Sequence, residues 1–288
     1  MYTLFDFEKR NCEVQGYHFP CENPAHVVCL IHGIGEHAGR FARVADYFNK
    51  EKIAVVSMDL RGHGRSRGIR GACAPRTEVL KDIDALIEYA GEFYPNVPIV
   101  MYGHSMGGNI TLDYRARGGH NDIPAGYIIS APWIRLVRPV GGALLTAVKF
   151  LTKIAPNLKI KSEFPEEQLG NVEYVRPYKD DPRVHPYITA LCAYEGFTIG
   201  AALENGTNED NGRAKETACL LMHGTADLIC DIQGSREFAK LQDYKYFTMV
   251  EWEGYYHEIH NGGPDGQTGE EVILRAIEFI KGLPDGSC

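Results

Sequence analysis

The sequence predicts an α/β fold built on a doubly wound, mostly parallel sheet with an inserted helical cap. Six short apolar runs predict strands at residues 26–31, 54–58, 98–102, 126–130, 218–222 and 246–252. Several of these runs are apolar at consecutive positions, which is typical of a parallel sheet covered on both faces. Helical patterns separate the runs, and strands that alternate with helices favour right-handed crossovers within one sheet.

Two helices and an antiparallel start complete the predicted core. Residues 77–93 carry an apolar stripe at helical spacing. The last helix is predicted to open at Thr268, with Glu271 completing a capping box. Residues 4–19 alternate in polarity and contain turn residues, so we predict antiparallel pairing at the start of the sheet.

The alternation of strands and helices stops between Trp133 and about residue 215. This stretch has a helical pattern of its own at residues 142–155. It ends in the polar, glycine-containing segment 204–212, which predicts a flexible return to the sheet. We therefore divide the chain into an α/β core, residues 1–132 and 214–288, and a cap inserted at residues 133–213.

The composition of the chain argues against several classes of protein. A net charge of −8 without a basic stripe argues against nucleic acid as the main partner. No apolar run of about 18 residues predicts a membrane-spanning helix, and the N-terminal segment lacks the basic-then-apolar order of a signal peptide. The cysteines form no C-x-x-C pair, so we predict reduced thiols, no metal site and a cytoplasmic protein.

A serine between glycines follows the third predicted strand, in the segment Gly103-His104-Ser105-Met106-Gly107. Glycines at both flanks indicate a sharp turn that another segment approaches closely. A serine at such a strand-to-helix bend presents its hydroxyl above the sheet, as in the G-x-S-x-G nucleophile elbow. Because a serine hydroxyl is a weak nucleophile, it needs a neighbouring base and a third group that holds the base.

Candidate partners of Ser105 follow the last two predicted strands. Asp227 comes after the fifth strand and His257 after the sixth, at the edge where open α/β sheets bind ligands. The chain order of serine, aspartate and histidine is that of the α/β-hydrolases, so we predict an α/β-hydrolase fold with a catalytic triad. Asp231 and His260 are rival candidates for the second and third roles.

A tetrahedral intermediate on this serine needs preorganised donors for its oxyanion. One donor is the N–H of Met106, which follows the nucleophile at a helix N-terminus whose dipole favours negative charge. The loop after the first strongly apolar strand, residues 32–37, supplies the second donor, and we assign it to the N–H of Ile34.

The same loop also fits a competing interpretation. Residues 33–38 satisfy G-x-G-x-x-A after a strand, and Asp59 ends the next strand, which together resemble a dinucleotide fingerprint with its ribose-binding acid. That interpretation leaves Ser105, Asp227 and His257 unexplained, whereas a hydrolase also accounts for the glycine-rich loop. We therefore predict no cofactor.

Five segments together resemble one branch of the α/β-hydrolases. They are "HGIGEHAGRF" (32–41), "DLRGHGRS" (59–66), "GHSMGG" (103–108), "HGTADLICD" (223–231) and "GYYHEIHN" (254–261). Their combination is similar to the monoglyceride lipase and lysophospholipase branch, which is sometimes labelled serine aminopeptidase-like. The resemblance spans nearly the whole chain and is thinnest in the cap.

The resemblance implies a substrate site as well as a triad. It favours the assigned triad and oxyanion donors over the rival candidates. Monoglyceride lipases hold the glycerol end of the substrate with polar groups, and the matching positions here are Glu36, Arg40 and His260, joined by Tyr178 from the cap. Glu36 and Arg40 could instead form a structural ion pair.

We therefore predict a cofactor-free serine esterase acting on a lipid monoester, with monoacylglycerol first and lysophospholipid or another carboxylic ester next. The cap helix at residues 142–155 would line an apolar groove for the acyl chain and touch a membrane or micelle surface. Packing of this helix onto the core is the compatible alternative.

Two other classes of function stay open. A peptidase with the same triad would need a carboxylate near the cap to hold a substrate amine. The cap offers five acids for this role: Glu163, Glu166, Glu167, Glu173 and Glu195. A non-catalytic ligand-binding protein on this fold would be expected to lack a member of the triad, and the sequence has all three.

Overall fold

The computed structural model of the chain describes residues 1–7, 13–162, 164–175, 180–213, 216–242 and 245–283. The strands are β1 (Thr3–Asp6), β2 (Gln15–Phe19), β3 (His26–Ile31), β4 (Ile53–Asp59), β5 (Ile99–His104), β6 (Gly126–Ser130), β7 (Lys159–Lys161), β8 (Tyr187–Thr189), β9 (Ala218–Gly224) and β10 (Phe247–Trp252). The α-helices are α1 (Ala42–Lys50), α2 (Arg76–Phe93), α3 (Met106–Arg117), α4 (Gly142–Ile154), α5 (Ala190–Asn205), α6 (Ile232–Lys240) and α7 (Glu270–Lys281).

Eight of the described strands form one sheet in the order β1-β2-β4-β3-β5-β6-β9-β10. β1 pairs with β2 and β2 pairs with β4 in antiparallel fashion, whereas every other neighbouring pair in this sheet is parallel. The predicted antiparallel start and mostly parallel sheet are therefore confirmed. β3 and β6 have the predicted ends, and the other predicted strands differ from the observed ones by one or two residues at an end.

Helices cover both faces of the sheet, as the consecutive apolar positions predict. On one face, α2 buries Ile83 in a cluster that includes Val56 of β4. On the other face, α1 and α7 bury Phe48 and Ile277 in a cluster that includes Val55. Because successive side chains of a strand point to opposite faces, β4 is enclosed by core on both sides.

The predicted capping box at the start of the last helix is wrong. Helix α7 begins at Glu270, and its N-cap is Gly269, which has φ of 74°. The hydroxyl of Tyr255 donates a hydrogen bond to the Glu271 carboxylate, so this carboxylate is engaged by a side chain from the segment between β10 and α7. The Thr268 hydroxyl accepts a bond from Glu270 N at 3.3 Å, one residue away from the position that a capping box requires.

Between β6 and β9 the chain leaves the sheet and forms α4, β7, β8 and α5. β7 and β8 pair with each other in a separate antiparallel sheet. His185 N donates to Gly35 O at 2.9 Å, and Thr189 N donates to Gly71 O at 3.1 Å. These bonds fasten the inserted segment to loops that follow β3 and β4. The segment therefore covers the carboxyl edge of the sheet, where the predicted site residues lie.

Helix α4 lies close to the predicted span and contacts α5. The sequence predicts an apolar stripe on this helix that includes Leu144, Val148 and Ile154. Val148 is buried, whereas Leu144 and Ile154 are 58% and 65% exposed. The stripe therefore exists, but the described residues cover only part of it. None of the helices in the described ranges combines the length and the apolar composition needed to cross a bilayer.

Candidate active site

Ser105 stands at a sharp turn between β5 and α3. Its φ of 56° lies in the left-handed region, which costs a non-glycine residue roughly 1–3 kcal/mol. The flanking glycines are required by close approach: a Cβ on Gly103 would lie 2.5 Å from Gly107 O, and a Cβ on Gly107 would lie 2.2 Å from Ile31 O. The turn therefore has the strained geometry expected of a nucleophile elbow.

The structure brings the three predicted catalytic side chains together. His257 Nε2 lies 2.8 Å from Ser105 Oγ, and His257 Nδ1 lies 2.7 Å from Asp227 Oδ2. All three side chains are buried, and they come from the carboxyl ends of β5, β9 and β10. Such a chain of contacts lets an imidazole take a hydroxyl proton while a carboxylate fixes its tautomer.

Four donors surround the Asp227 carboxylate. Ile229 N and Cys230 N donate to Oδ1 at 2.8 and 2.9 Å, while the imidazoles of His257 and His223 lie 2.7 and 3.1 Å from Oδ2. Burial opposes ionisation, but the charge of His257 and the hydrogen bond from His223 hold the pKa of Asp227 well below its usual value. Asp227 is therefore ionised throughout the neutral range.

The contact between Asp227 and His257 also changes the pKa of the imidazole. Burial disfavours its charged form, yet the Asp227 carboxylate raises the pKa of His257 above its ordinary value. The neighbouring ring of His104 lies 5.0 Å away between centroids, and burial lowers the pKa of His104 far enough to keep it neutral. An imidazolium at position 257 is therefore stabilised and meets no fixed positive charge from His104.

The two predicted oxyanion donors lie on segments next to the nucleophile. Met106 is the first residue of α3, so its N–H has no partner within the helix. Ile34 lines the cavity beside Ser105. A Cβ on the preceding Gly33 would lie 3.5 Å from Ser105 Oγ, which shows how closely this loop passes the hydroxyl. The oxyanion roles of both N–H groups stay predictions.

A cavity of about 280 Å³ opens at Ser105 and His257. Most of its walls are apolar and come from the inserted segment and from the loop after Asp227. These apolar lining residues include Trp133, Leu136, Val140, Leu144, Val148, Ile160, Phe164, Ile188, Phe197 and Ile229. The cavity also contacts two carboxylates, Glu36 and Glu258, so it has an apolar part and a charged part.

Glu36, Arg40 and Glu258 form a buried group that we call the head cluster. Arg40 Nε lies 3.3 Å from Glu36 Oε2, and Arg40 Nη2 lies 3.2 Å from Glu258 Oε1. Gly33 N donates to Glu36 Oε1 at 2.6 Å, and Asn261 Nδ2 donates to Glu258 Oε2 at 2.7 Å. Burial and the charge of Glu258 raise the pKa of Glu36 to about 7. Sequence reasoning suggested the ion pair between Glu36 and Arg40 but missed Glu258.

The other predicted substrate-binding residues lie elsewhere. Among the described residues, the lining of the main cavity includes Glu36 but neither Arg40 nor His260. Arg40 borders a separate polar cavity of about 120 Å³. The His260 ring is buried and stacks on Phe41 at 4.9 Å, and this burial lowers the pKa of His260 to about 4. Tyr178 lies outside the described residues.

The rival candidates from the sequence have structural partners. Asp231 caps α6, where its Oδ1 accepts a bond from Gln233 N at 2.9 Å. Asp59 is fully buried, and its carboxylate accepts bonds from the Tyr17 hydroxyl, Ala38 N and Arg65 N. Those bonds engage the acid that a dinucleotide fingerprint would present to a ribose.

The acids proposed for holding a substrate amine do not face the cavity in the described part of the cap. Glu166, Glu167, Glu173 and Glu195 lie outside its lining, and Glu163 is not among the described residues. Glu195 accepts a bond from Arg76 N at 2.9 Å, which ties α5 to the start of α2.

One group in the described chain has ligand atoms close enough for a metal ion, namely Asp227, Cys230 and His257, within 4.8 Å of one another. Asp227 and His257 are already hydrogen-bonded to each other. Burial raises the pKa of the Cys230 thiol well above its ordinary value, which disfavours the thiolate that a metal would need. These residues therefore suit acid–base chemistry better than metal binding.

The fold and this site together define an α/β-hydrolase. A family model described as serine aminopeptidase, S33, matches residues 22–263. A monoacylglycerol lipase of Mycolicibacterium smegmatis is 31% identical over 246 residues, 84% of each protein. The human monoglyceride lipase is 30% identical over 86% of this chain and 80% of the human protein. The chain therefore belongs to the serine aminopeptidase S33 family of hydrolases.

Known structures agree with this assignment. The crystal structure of Paleococcus ferrophilus monoacylglycerol lipase superposes with a TM-score of 0.81 at 29% identity, covering 93% of this chain and 98% of that one. The predicted α/β-hydrolase fold and the predicted resemblance to the monoglyceride lipase branch are both confirmed.

Proposed function

We propose that this chain is a serine esterase that hydrolyses monoacylglycerols to fatty acid and glycerol. The observation that carries the proposal is the chain of contacts from Ser105 through His257 to Asp227 at the wall of a mostly apolar cavity. The similarity to proteins named monoacylglycerol lipase supports the choice of ester. An apolar cavity with few polar groups suits a molecule with one long acyl chain and one small polar end.

In the proposed reaction, His257 Nε2 accepts the proton of Ser105 as Oγ attacks the ester carbonyl carbon. Asp227 holds Nδ1 and stabilises the imidazolium that forms. The N–H groups of Ile34 and Met106 bind the oxyanion, and losing one such donor typically costs about 2.7–4 kcal/mol in the barrier. His257 then returns its proton to the departing glycerol oxygen, and a water activated by the same imidazole releases the fatty acid.

The inserted segment, residues 133–213, supplies the acyl end of the site in this proposal and acts as a cap on the core. Side chains of α4 and α5, including Val148 and Phe197, form apolar walls of the cavity. Burying each methylene of an acyl chain against such walls contributes about 0.8 kcal/mol. The head cluster lies on core loops, and its carboxylates accept hydrogen bonds from glycerol hydroxyls.

Replacing Ser105 by alanine tests the proposal directly. We expect turnover of a monoacylglycerol and of a short p-nitrophenyl ester to fall by roughly 10⁶-fold, as when other serine hydrolases lose their nucleophile. Covalent labelling by a fluorophosphonate should disappear with it. Ser130→Ala is the matched control, because Ser130 is buried in β6 against His104, and labelling should persist there. Unchanged turnover in Ser105→Ala would refute the proposal.

We further propose that the exposed side of α4 touches the lipid surface from which substrate is drawn. Phe150 and Ile154 are 62% and 65% exposed, and Leu158 follows at 47%. Lys149 and Lys153 are exposed on the same helix. Apolar side chains beside lysines are typical of helices that lie in a membrane interface.

The experiment is co-sedimentation with vesicles of mixed neutral and anionic phospholipid. Phe150→Glu should weaken binding while leaving hydrolysis of a water-soluble ester unchanged, and equal binding by both proteins would remove the surface contact from the proposal.

The cytoplasmic location stays a prediction, supported by the free state of the six cysteines within the described ranges.

A further inference from the structure

We propose that Glu258, acting with Glu36, selects against substrates whose leaving group carries a negative charge. The inference rests on the proposed esterase function and deepens it. A monoacylglycerol has an uncharged leaving alcohol, whereas the leaving alcohol of a lysophospholipid carries a phosphate. The charge of the head end would therefore separate the two substrate classes that the sequence left open.

Glu258 lies at the wall of the cavity, beside the proposed catalytic base. It directly follows His257, and its side chain is only 2% exposed. Its carboxylate lines the same cavity as Ser105 and Glu36. Asn261 Nδ2 and Arg40 Nη2 both donate to this carboxylate, so its oxygens are fixed in place. A leaving group bound beside Ser105 thus meets two held carboxylates.

The head cluster contains two acidic side chains and one basic side chain. Above about pH 7, where Glu36 is ionised, two carboxylates share one guanidinium, and Arg40 is held behind them at 3.2–3.3 Å. A phosphate brought into this space would give up its water shell to face acids, and juxtaposed like charges disfavour binding strongly in a desolvated site. Lys161 also lines the cavity, but it is exposed on β7, where solvent screens its charge.

The direction of the hydrogen bonds also favours an uncharged head group. Ionised carboxylates only accept hydrogen bonds, and so do the oxygens of an ionised phosphate. Glycerol hydroxyls donate as well as accept, so they match Glu258 and the ionised form of Glu36 without any change in the protein. An uncharged polyol therefore fits the head end by both charge and hydrogen bonding.

The test uses three decanoyl esters that share one acyl chain and carry a neutral, an anionic or a cationic head: monodecanoylglycerol, monodecanoylglycerol phosphate and decanoylcholine. Each is assayed as a monomer below its micellar concentration and above pH 7, where Glu36 is ionised. The values of kcat/KM are compared within each protein. The wild type should use the neutral and cationic esters better than the anionic one. Glu258→Gln should raise the ratio of anionic to neutral kcat/KM by about tenfold or more and lower the cationic ratio.

Comparing ratios within one variant removes any general loss of activity, which matters because Glu258 adjoins His257. Glu251→Gln is the matched control: Glu251 also pairs with an arginine, Arg236, but it is exposed on β10. Its ratios should equal those of the wild type.

Three results would overturn the inference. They are a wild type that prefers the phosphate ester, a Glu258→Gln ratio within about twofold of the wild type, or an equal shift in Glu251→Gln. If Glu258→Gln does not fold, Glu36→Gln removes the other carboxylate and provides the same comparison. Failure of the proposed function gives a different result, because the wild type would then hydrolyse none of the three esters.

Discussion

The cavity beside Ser105 has an apolar end and a charged end. At one end, the walls are apolar side chains of the inserted segment, such as Val148 and Phe197. At the other end, Glu36 and Glu258 face the cavity from core loops, and Arg40 bonds to both carboxylates. Apolar contact is non-directional and grows with buried area, whereas charged groups discriminate by sign and by hydrogen-bond direction. The apolar end should therefore set the preference for acyl chain length, and the charged end should separately set the preference for head group.

The largest expected effect does not depend on which end of the cavity is involved, because every ester reacts at Ser105 in our proposal. Asp227→Asn keeps an oxygen for the bonds from Ile229 N and Cys230 N, but it cannot hold His257 in the required tautomer. We expect kcat to fall by about 10⁴-fold. The fall should be the same for esters that differ in chain length and in head group, measured under saturating substrate.

The control for that variant is Asp231→Asn, four residues further along. Asp231 caps α6 and pairs with Arg135. Asparagine caps a helix as well as aspartate does, and a partly exposed ion pair contributes about 0–1 kcal/mol, so the change should affect stability little and leave kcat nearly unchanged. Equal loss of kcat in both variants would contradict the assignment of Asp227.

The apolar end is tested by Phe197→Ala. Phe197 lines the cavity and packs edge-on against Trp133 at 5.0 Å, so its removal lengthens the space for an acyl chain. If two more methylenes are buried at about 0.8 kcal/mol each, kcat/KM for the longer ester should rise about tenfold relative to the shorter one. The measurement is kcat/KM across monoacylglycerols of graded chain length.

The head-group ratios of Phe197→Ala should stay at wild-type values, which is the reverse of the Glu258→Gln result. Phe93→Ala is a matched control, since Phe93 is 53% exposed at the end of α2 and lies outside the lining. A change in both ratios in Phe197→Ala would mean that the two ends are coupled.

The sequence predicts the framework of this molecule well because the framework depends on local patterns. Apolar runs gave the strands of the core within two residues, and the glycines around Ser105 indicated the turn that the structure shows. Asp227 and His257 follow strands whose carboxyl ends meet at one edge, so their proximity to Ser105 follows from topology. Their catalytic roles stay predictions.

The head end and the cap were less predictable because they depend on long-range contacts. Arg40 and Glu258 are 218 residues apart, and no periodicity connects them. Helix α4 shows a related limit: its spacing revealed an apolar stripe, but spacing cannot tell which part of a stripe is covered. The capping box at Thr268 failed because Tyr255, which lies 16 residues before Glu271 in the segment between β10 and α7, engages the Glu271 carboxylate.

The smallest expected effect concerns the pH dependence of kcat/KM. In our mechanism His257 must be neutral to accept the Ser105 proton, so activity is lost as pH falls through the pKa of His257. Burial lowers the pKa of His257, whereas the Asp227 carboxylate raises it. The charges of Glu258 and Glu36 raise this pKa further. The acid limb of the wild type should therefore lie above the ordinary histidine value of about 6.5.

Glu36→Gln removes one of those charges without removing a catalytic group. The pKa of His257 should fall, and the acid limb should move to lower pH. Because Glu36 has a pKa of about 7 and interacts with His257, the wild-type limb should also be broader than a single titration, as coupled groups require. In the variant the limb should narrow to one proton. A limb that moves to higher pH would show that Glu36 does not act on His257 through its charge, and the electrostatic link between the head end and the catalytic base would be lost. Glu251 is exposed on β10, so Glu251→Gln should leave both the position and the width of the limb unchanged.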